Sequence, residues 1–259
     1  MTTRDYRPLR HMLDVIVVLV TRDQKSRYRS TAMGVFWAIA SPVLFLLTFY
    51  LLFKVILPLN IPRYAAHIFI GLVIWGWFQA AVIDAVTCIV GNGGLLNQPG
   101  FPVAALPVAV VTSNLLTLLL TLPLLVVILL FDGATIGASV ICIPLLILCQ
   151  YVFILSMAYL VAALNVVFRD MQYIVPILLQ VGYFATPIFY DIGAIGGTAR
   201  SWLALNPMVS FVGAYRQVLI FGEWPDWTAI GLIMALSCLT LLVTYRFFHG
   251  ARLRFLEEI

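Results

Sequence analysis

Apolar residues arrive in long blocks along this chain, and polar residues are confined to the gaps between them. Six blocks cover residues 34–57, 66–90, 103–131, 136–166, 174–190 and 227–248. None alternates polar and apolar positions, which excludes an outer-membrane barrel. A helix rises about 1.5 Å per residue, so a block such as 34–57 covers roughly 36 Å, enough for about 30 Å of hydrocarbon with some tilt. Inside lipid the backbone must satisfy its own hydrogen bonds, so the blocks predict six transmembrane helices. The third and fourth are separated only by Asp132-Gly133-Ala134-Thr135, a short turn.

Two segments depart from this pattern. Residues 5–29 hold an apolar run, 12–20, that is too short to span. It leads into Thr21-Arg22-Asp23-Gln24-Lys25-Ser26-Arg27-Tyr28-Arg29, with no small-residue cleavage site. This predicts an amphipathic helix in the membrane interface, with its basic end among the headgroups. A partly buried soluble helix is the alternative. Residues 191–226 are too many for a tight turn and too apolar for a flexible loop, with Trp202, Leu203, Leu205, Met208 and Phe211 among them. They predict short helices that dip into the outer leaflet and return.

Composition supports the same class. Of 259 residues 63% are hydrophobic and 10% charged, with a mean hydropathy of +1.06. A soluble domain holds roughly 45–50% apolar and about 25% charged residues. The expectation is one all-α integral membrane domain over 1–259, and a secreted or nucleic-acid-binding domain is excluded as the main reading. With the N-terminus in the cytoplasm, six spans return the C-terminus there. Eleven of the fifteen Lys and Arg then lie inside, and Lys54, Arg63, Arg200 and Arg216 lie outside. That bias predicts an N-in, C-in topology.

Catalytic and nucleotide motifs are missing. The sequence has no G-x-x-x-x-G-K-[ST], G-x-S-x-G or H-E-x-x-H pattern. Cys88, Cys142, Cys149 and Cys238 lie in apolar runs without a CxxC pair, and read as small buried hydrophobes. His11, His67 and His249 sit near three different span ends, so no metal site is expected. Asp84 is the strongest ionisable candidate within a span. One carboxylate is thin material for a proton relay. Its plainer role is pairing with Arg or helix donors near the inner boundary.

Aromatic residues are abundant. The first block carries Phe36, Trp37, Phe45, Phe49, Tyr50 and Phe53, with Trp37, Phe45, Phe49 and Phe53 at multiples of four along one helical stripe. The second carries Trp75, Trp77 and Phe78, and the fifth carries Tyr183, Phe184, Phe189 and Tyr190. Sugars stack their apolar C–H faces on rings, and a track of rings with few polar anchors lets a glycan slide. The same rings also suit lipid contact or helix packing.

The sequence resembles the permease subunit of ABC-2-type polysaccharide exporters, the Wzm/TagG/KpsM group. The likeness runs through residues 19–29, Gly34, Trp37 and Pro42. It continues in Leu95-Leu96-Asn97-Gln98-Pro99-Gly100-Phe101-Pro102, Leu106-Pro107 and Leu164-Asn165-Val166-Val167-Phe168-Arg169-Asp170. It closes with Thr186-Pro187-Ile188-Phe189-Tyr190, Asn206-Pro207 and Arg216. The resemblance implies a multi-pass subunit of the bacterial cytoplasmic (inner) membrane that is not itself an enzyme and binds no cofactor. Two permease copies would form the channel above two copies of a separate ABC ATPase, which would hold the ATP and Mg. The substrate would be a polyprenyl-pyrophosphate-linked glycan of the O-antigen, capsule, teichoic acid or galactan type.

The resemblance also assigns roles. Segment 91–102 is expected to couple to the ATPase through Leu95, Leu96, Asn97, Gln98 and Phe101, with the N-terminal helix as a second contact. Family members often carry Lys or Arg in that loop; here Asn97, Gln98, Val103 and Ala104 make it neutral. The channel is expected to be lined by Phe36, Trp37, Phe45, Phe49, Tyr50, Trp75, Tyr183 and Phe184. Arg22, Lys25, Arg27, Tyr28 and Arg29 would hold the lipid pyrophosphate at the inner gate, because Arg forks match phosphate oxygens; anchoring to anionic lipid is the simpler role. Residues 191–226 would form the external gate. The alternatives are a permease for drug or lipid export, and a membrane-embedded enzyme acting on a lipid-linked sugar.

Overall fold

The computed structural model describes residues 8–29, 36–52, 61–96, 98, 100–134, 137–194 and 196–250. Among them the fold is helical, without strands. Helix α1 (Pro8–Arg29) precedes α2 (Phe36–Tyr50), α3 (Tyr64–Val86), the single turn α4 (Gly93–Leu96) and α5 (Ala105–Phe131). Then come α6 (Ile143–Val167), α7 (Met171–Phe184), α8 (Gly197–Ala204), α9 (Pro207–Arg216) and α10 (Trp227–Gly250).

Among the described residues four helices are long and apolar enough to cross a membrane: Tyr64–Val86, Ala105–Phe131, Ala138–Val167 and Trp227–Arg246. In the other two expected spans the described residues form shorter helices. In the 34–57 block, α2 has 15 residues; residues 30–35 and 53–60, with Phe53 and Lys54, lie outside the described residues. In the 174–190 block the helix begins earlier, at Met171, and stops at Phe184 rather than Tyr190. The reason is local: Pro187 has no N–H to donate and disfavours helical geometry in the residue before it.

Helix α3 is the central mast. It packs against α2, α5, α6, α7 and α9, and 72% of its most apolar window is buried. The main core gathers on it, with Phe69, Ile70, Ile74, Leu146, Ile154, Phe211 and Val212 almost wholly enclosed. A second core lies at the other end of α3, where Leu19 and Val20 of α1 meet Ile89, Leu96, Phe101, Leu106, Tyr159 and Val166. Helix α1 therefore buries a narrow stripe while Leu13, Val17 and Val18 stay exposed.

Helix ends are finished by specific chemistry. Helix α5 stops in a Schellman turn: Ala134 N–H donates to the Leu129 carbonyl at 3.0 Å, and Gly133 takes a φ of 69° that favours glycine. Beside it, Asp132 accepts from Ala66 N–H at 2.9 Å. It thereby caps α3, whose own N-cap residue is Arg63 and offers no side-chain acceptor. Helix α9 opens with Asn206, which accepts from Met208 N–H at 3.0 Å, followed by Pro207 in the first turn. The region between α7 and α10 is thus short helices, as the apolar content of 191–226 predicts.

Candidate translocation groove and inner-boundary charge cluster

Helices α2, α3 and α7 enclose an open groove of about 430 Å³. Ser41, Pro42, Phe45 and Phe49 form one wall, Leu72, Trp75, Gly76 and Gln79 the floor, and Gln180, Tyr183 and Phe184 the other wall. Of the eight expected ring positions, Phe45, Phe49, Trp75, Tyr183 and Phe184 meet here. The rings are ordered against one another. Phe49 stacks on Phe189 at 5.6 Å, and Trp75 meets Tyr183 edge-on at 6.0 Å. Gly182 makes the close approach possible, because a Cβ there would stand 3.0 Å from the Trp75 ring. Trp75 Nε1 donates to Gln79 Oε1 at 2.9 Å, satisfying the indole within the groove.

The other three rings lie elsewhere. Trp37 lines a neighbouring cavity of about 270 Å³ between α2, α3 and α5, together with Trp77, Asn114, Thr117 and Thr121. Phe36 is exposed and packs edge-on against Trp37 at 6.2 Å. Tyr50 faces Tyr64 at 6.5 Å, away from the groove.

A charge cluster sits where α1 packs on α5 and reaches α3 through a side-chain pair. Arg27 donates through Nε to Asp23 at 2.7 Å and through Nη2 to Asp84 at 2.5 Å. Asp84 also accepts from Asn114 Nδ2 at 3.0 Å, and Asp23 accepts from the Ser113 hydroxyl. Gln24 adds bonds to the carbonyl and hydroxyl of Ser113, each at 2.8 Å. Arg22 reaches Asn92 Oδ1 at 2.9 Å, just before α4. Burial pulls the Arg27 pKa down, but the hydrogen bonds and charges of Asp84 and Asp23 more than offset it, leaving it above its ordinary value. The pairing of Asp84 with an Arg near one end of the span agrees with its plainer role.

A cavity of about 270 Å³ opens at this cluster, lined by Arg22, Asp23, Arg27, Asp84 and Asn92. Lys25 is exposed. The side chains of Tyr28 and Arg29 lie outside the described residues. In the 91–102 segment Leu96 and Phe101 are buried anchors in the second core, Leu95 is half-buried and Gln98 is exposed. Asn97 lies outside the described residues. Among the described residues of this segment, the exposed ones are Gly91, Gly94, Gln98 and Gly100.

The family profile of the ABC-2 type transporter matches residues 14–220, from within α1 through α9. The chain belongs to this ABC-2 type transporter family. Among its relatives is the O-antigen export system permease protein RfbA of Myxococcus xanthus, 36% identical over 247 residues and 95% of each chain. A protein of the same description from Klebsiella pneumoniae is 27% identical over 96% of each chain. The polysialic acid transport protein KpsM of Escherichia coli is 23% identical over 88% of this chain and 90% of its own.

Several residues that build the groove and the charge cluster are not singled out by their sequence context. Gln79, Ser113, Asn114 and Gln180 are polar positions inside apolar blocks, and that is the signal they carry. Gly182 and Asn92 carry none, because their roles depend on a neighbour from another helix.

Proposed function

We propose that this chain is the permease subunit of an ABC transporter that exports a polyprenyl-pyrophosphate-linked polysaccharide across the bacterial cytoplasmic membrane. The observation that carries the reading is similarity along 95% of the chain to an O-antigen export permease. The groove supports it. It presents five aromatic rings, on which the apolar C–H faces of sugars stack, beside Ser41, Gln79 and Gln180 as a few polar anchors.

In this reading α2 and α7 complete a six-span, N-in, C-in subunit, and 191–226 re-enters the outer leaflet. Two copies face one another across the groove. Two copies of a separate ATPase, which hold ATP and Mg, dock below at α4, Gln98 and α1. ATP-driven closure moves α1 and α4 together, because Arg22 ties one to the segment before the other. Arg27 and Asp84 pass that motion to α3 and α5. Lys25 and Arg22 offer cationic contacts to the lipid pyrophosphate, and Arg27 organises the cluster.

The deciding experiment is depletion of this protein in its host, with lipid-linked glycan assayed on each face of the membrane. Polymer retained inside and lost outside is the expected result. An unchanged distribution on both faces overturns the reading in favour of drug or lipid export.

A further inference from the structure

The Thr186-Pro187-Ile188-Phe189-Tyr190 stretch leaves the helix with Thr186, Pro187 and Ile188 buried, where bare carbonyls are costly. Each carbonyl from residue 187 to 190 meets a side chain. Arg216 Nη1 donates to Pro187 at 2.6 Å and its Nη2 to Ile188 at 2.8 Å. Tyr64 donates to Phe189 at 3.1 Å, and His67 Nε2 lies 3.3 Å from the Tyr190 oxygen. Arg216 is 7% exposed. Its Nε and Nη2 also reach the His67 carbonyl on α3, at 3.2 and 2.9 Å. One guanidinium thus joins three segments, a task that suits its planar fork of donors.

Helix α9 is held at both ends. At its start Asn206 Nδ2 donates to the Thr186 hydroxyl at 2.9 Å. At its end sits Arg216. Beyond it the chain remains pinned, since Arg63 donates to the Ile220 carbonyl at 2.5 Å. Gly71 gives the clamp its room: a Cβ there would lie 3.1 Å from both Arg216 Nη2 and Ile188 Cα. The preceding segment differs. Helix α8 packs chiefly on α9, and Trp202 and Leu205 are 71% and 73% exposed.

We propose that Arg216 is a positioning residue that fixes α9 to α3 as the stationary post of the outer opening, so that the segment 196–205 with α8 is the part that moves. The moving-gate half rests on the export reading; the stationary-post half does not.

The test is backbone hydrogen exchange on the full permease in lipid nanodiscs, alone and with its ATPase trapped in the nucleotide-bound state. In the permease alone, amides of 208–221 should exchange far more slowly than those of 198–205. Nucleotide trapping should alter exchange in 198–205 and leave 208–221 unchanged. Arg216→Met removes the charged donors without leaving a buried cation. It should speed exchange in 208–221 by about tenfold or more, the loss expected for charge-assisted hydrogen bonds, and lower export per assembled transporter. Arg216→Lys should recover part of both, and protection of α6 should not change.

Should Arg216→Met fail to assemble, Gly71→Ala loosens the same junction with the arginine in place and should give the same two effects. Gly213→Ala, in α9 with open space around it, is the control that leaves both intact. Wild-type exchange in 208–221 as fast as in 198–205 overturns the stationary post. Trapping that changes 208–221 instead of 198–205 overturns the assignment of the moving part. Normal export despite lost protection in 208–221 overturns the positioning role. A permease that keeps its slow 208–221 segment but exports no glycan leaves the post standing and removes the export reading.

Discussion

At the residue scale, a few polar side chains set how the helices are held, and their effects separate by location. The Arg27–Asp84 pair is about one-third exposed on each side, at 32% and 36%. Screening therefore limits the pair itself to about 1 kcal/mol. Arg27→Gln should lower both stability and export, because Asp84 and Asp23 lose a shared partner. Exchanging the two residues, Arg27→Asp with Asp84→Arg, should restore part of the melting temperature in detergent. Lys25→Gln and Arg22→Gln should leave stability within about 0.5 kcal/mol, as exposed changes do, yet lower export if those cations meet the pyrophosphate. Unchanged export in both would confine the cluster to anchoring α1. Asn206→Ala removes the cap and the bond to Thr186 together and should cost about 1–2 kcal/mol, measured by thermal unfolding.

At the element scale, the chain relies on neighbours to finish helices that their own sequences leave open. Helix α3 starts at Arg63, in a left-handed conformation with φ 52°. Asp132, in the turn after α5, supplies the missing acceptor. Asp132→Ala should therefore destabilise α3 by about 1 kcal/mol, while Asp132→Asn keeps most of the cap. Protection of the first-turn amides of α3 is the readout. Gly133→Ala places a Cβ in a left-handed turn and should cost about 1–2 kcal/mol, seen as a lower melting temperature. The same dependence limits how far the sequence could be read. The positions of the long helices were legible from apolar length, because lipid forces a helix wherever the run is long enough. The end of α7 was less so: apolar residues continue to Tyr190, but proline geometry and Arg216 divert the chain after Phe184.

At the scale of the whole molecule, the proposed path for substrate is a shared product of three helices. Replacing Phe45 and Phe49 by Ala should remove two rings from the groove; Phe45 is 56% exposed, whereas Phe49 also gives up its stack on Phe189, worth about 1 kcal/mol of stability. If each ring contributes about 1 kcal/mol to glycan contact, the pair should slow export by roughly tenfold or more. Assembly of the proposed dimer in detergent should be unchanged. Export at the wild-type rate would return both rings to packing or lipid contact.

The sequence alone determined the class of this protein. Length of apolar runs and scarcity of charge are properties of composition and order. A membrane acts on those directly, whatever the tertiary packing. Family motifs could be seen as strings, but not as structure. Tertiary structure decided what they do. It placed Trp75 against Gly182, brought Arg27 to Asp84 across 57 positions, and set Arg216 among carbonyls of two other segments. It also separated Trp37, Phe36 and Tyr50 from the other rings. Those outcomes depend on how helices cross and on which side chain fills the space a glycine leaves, and neither is encoded in a local stretch of chain.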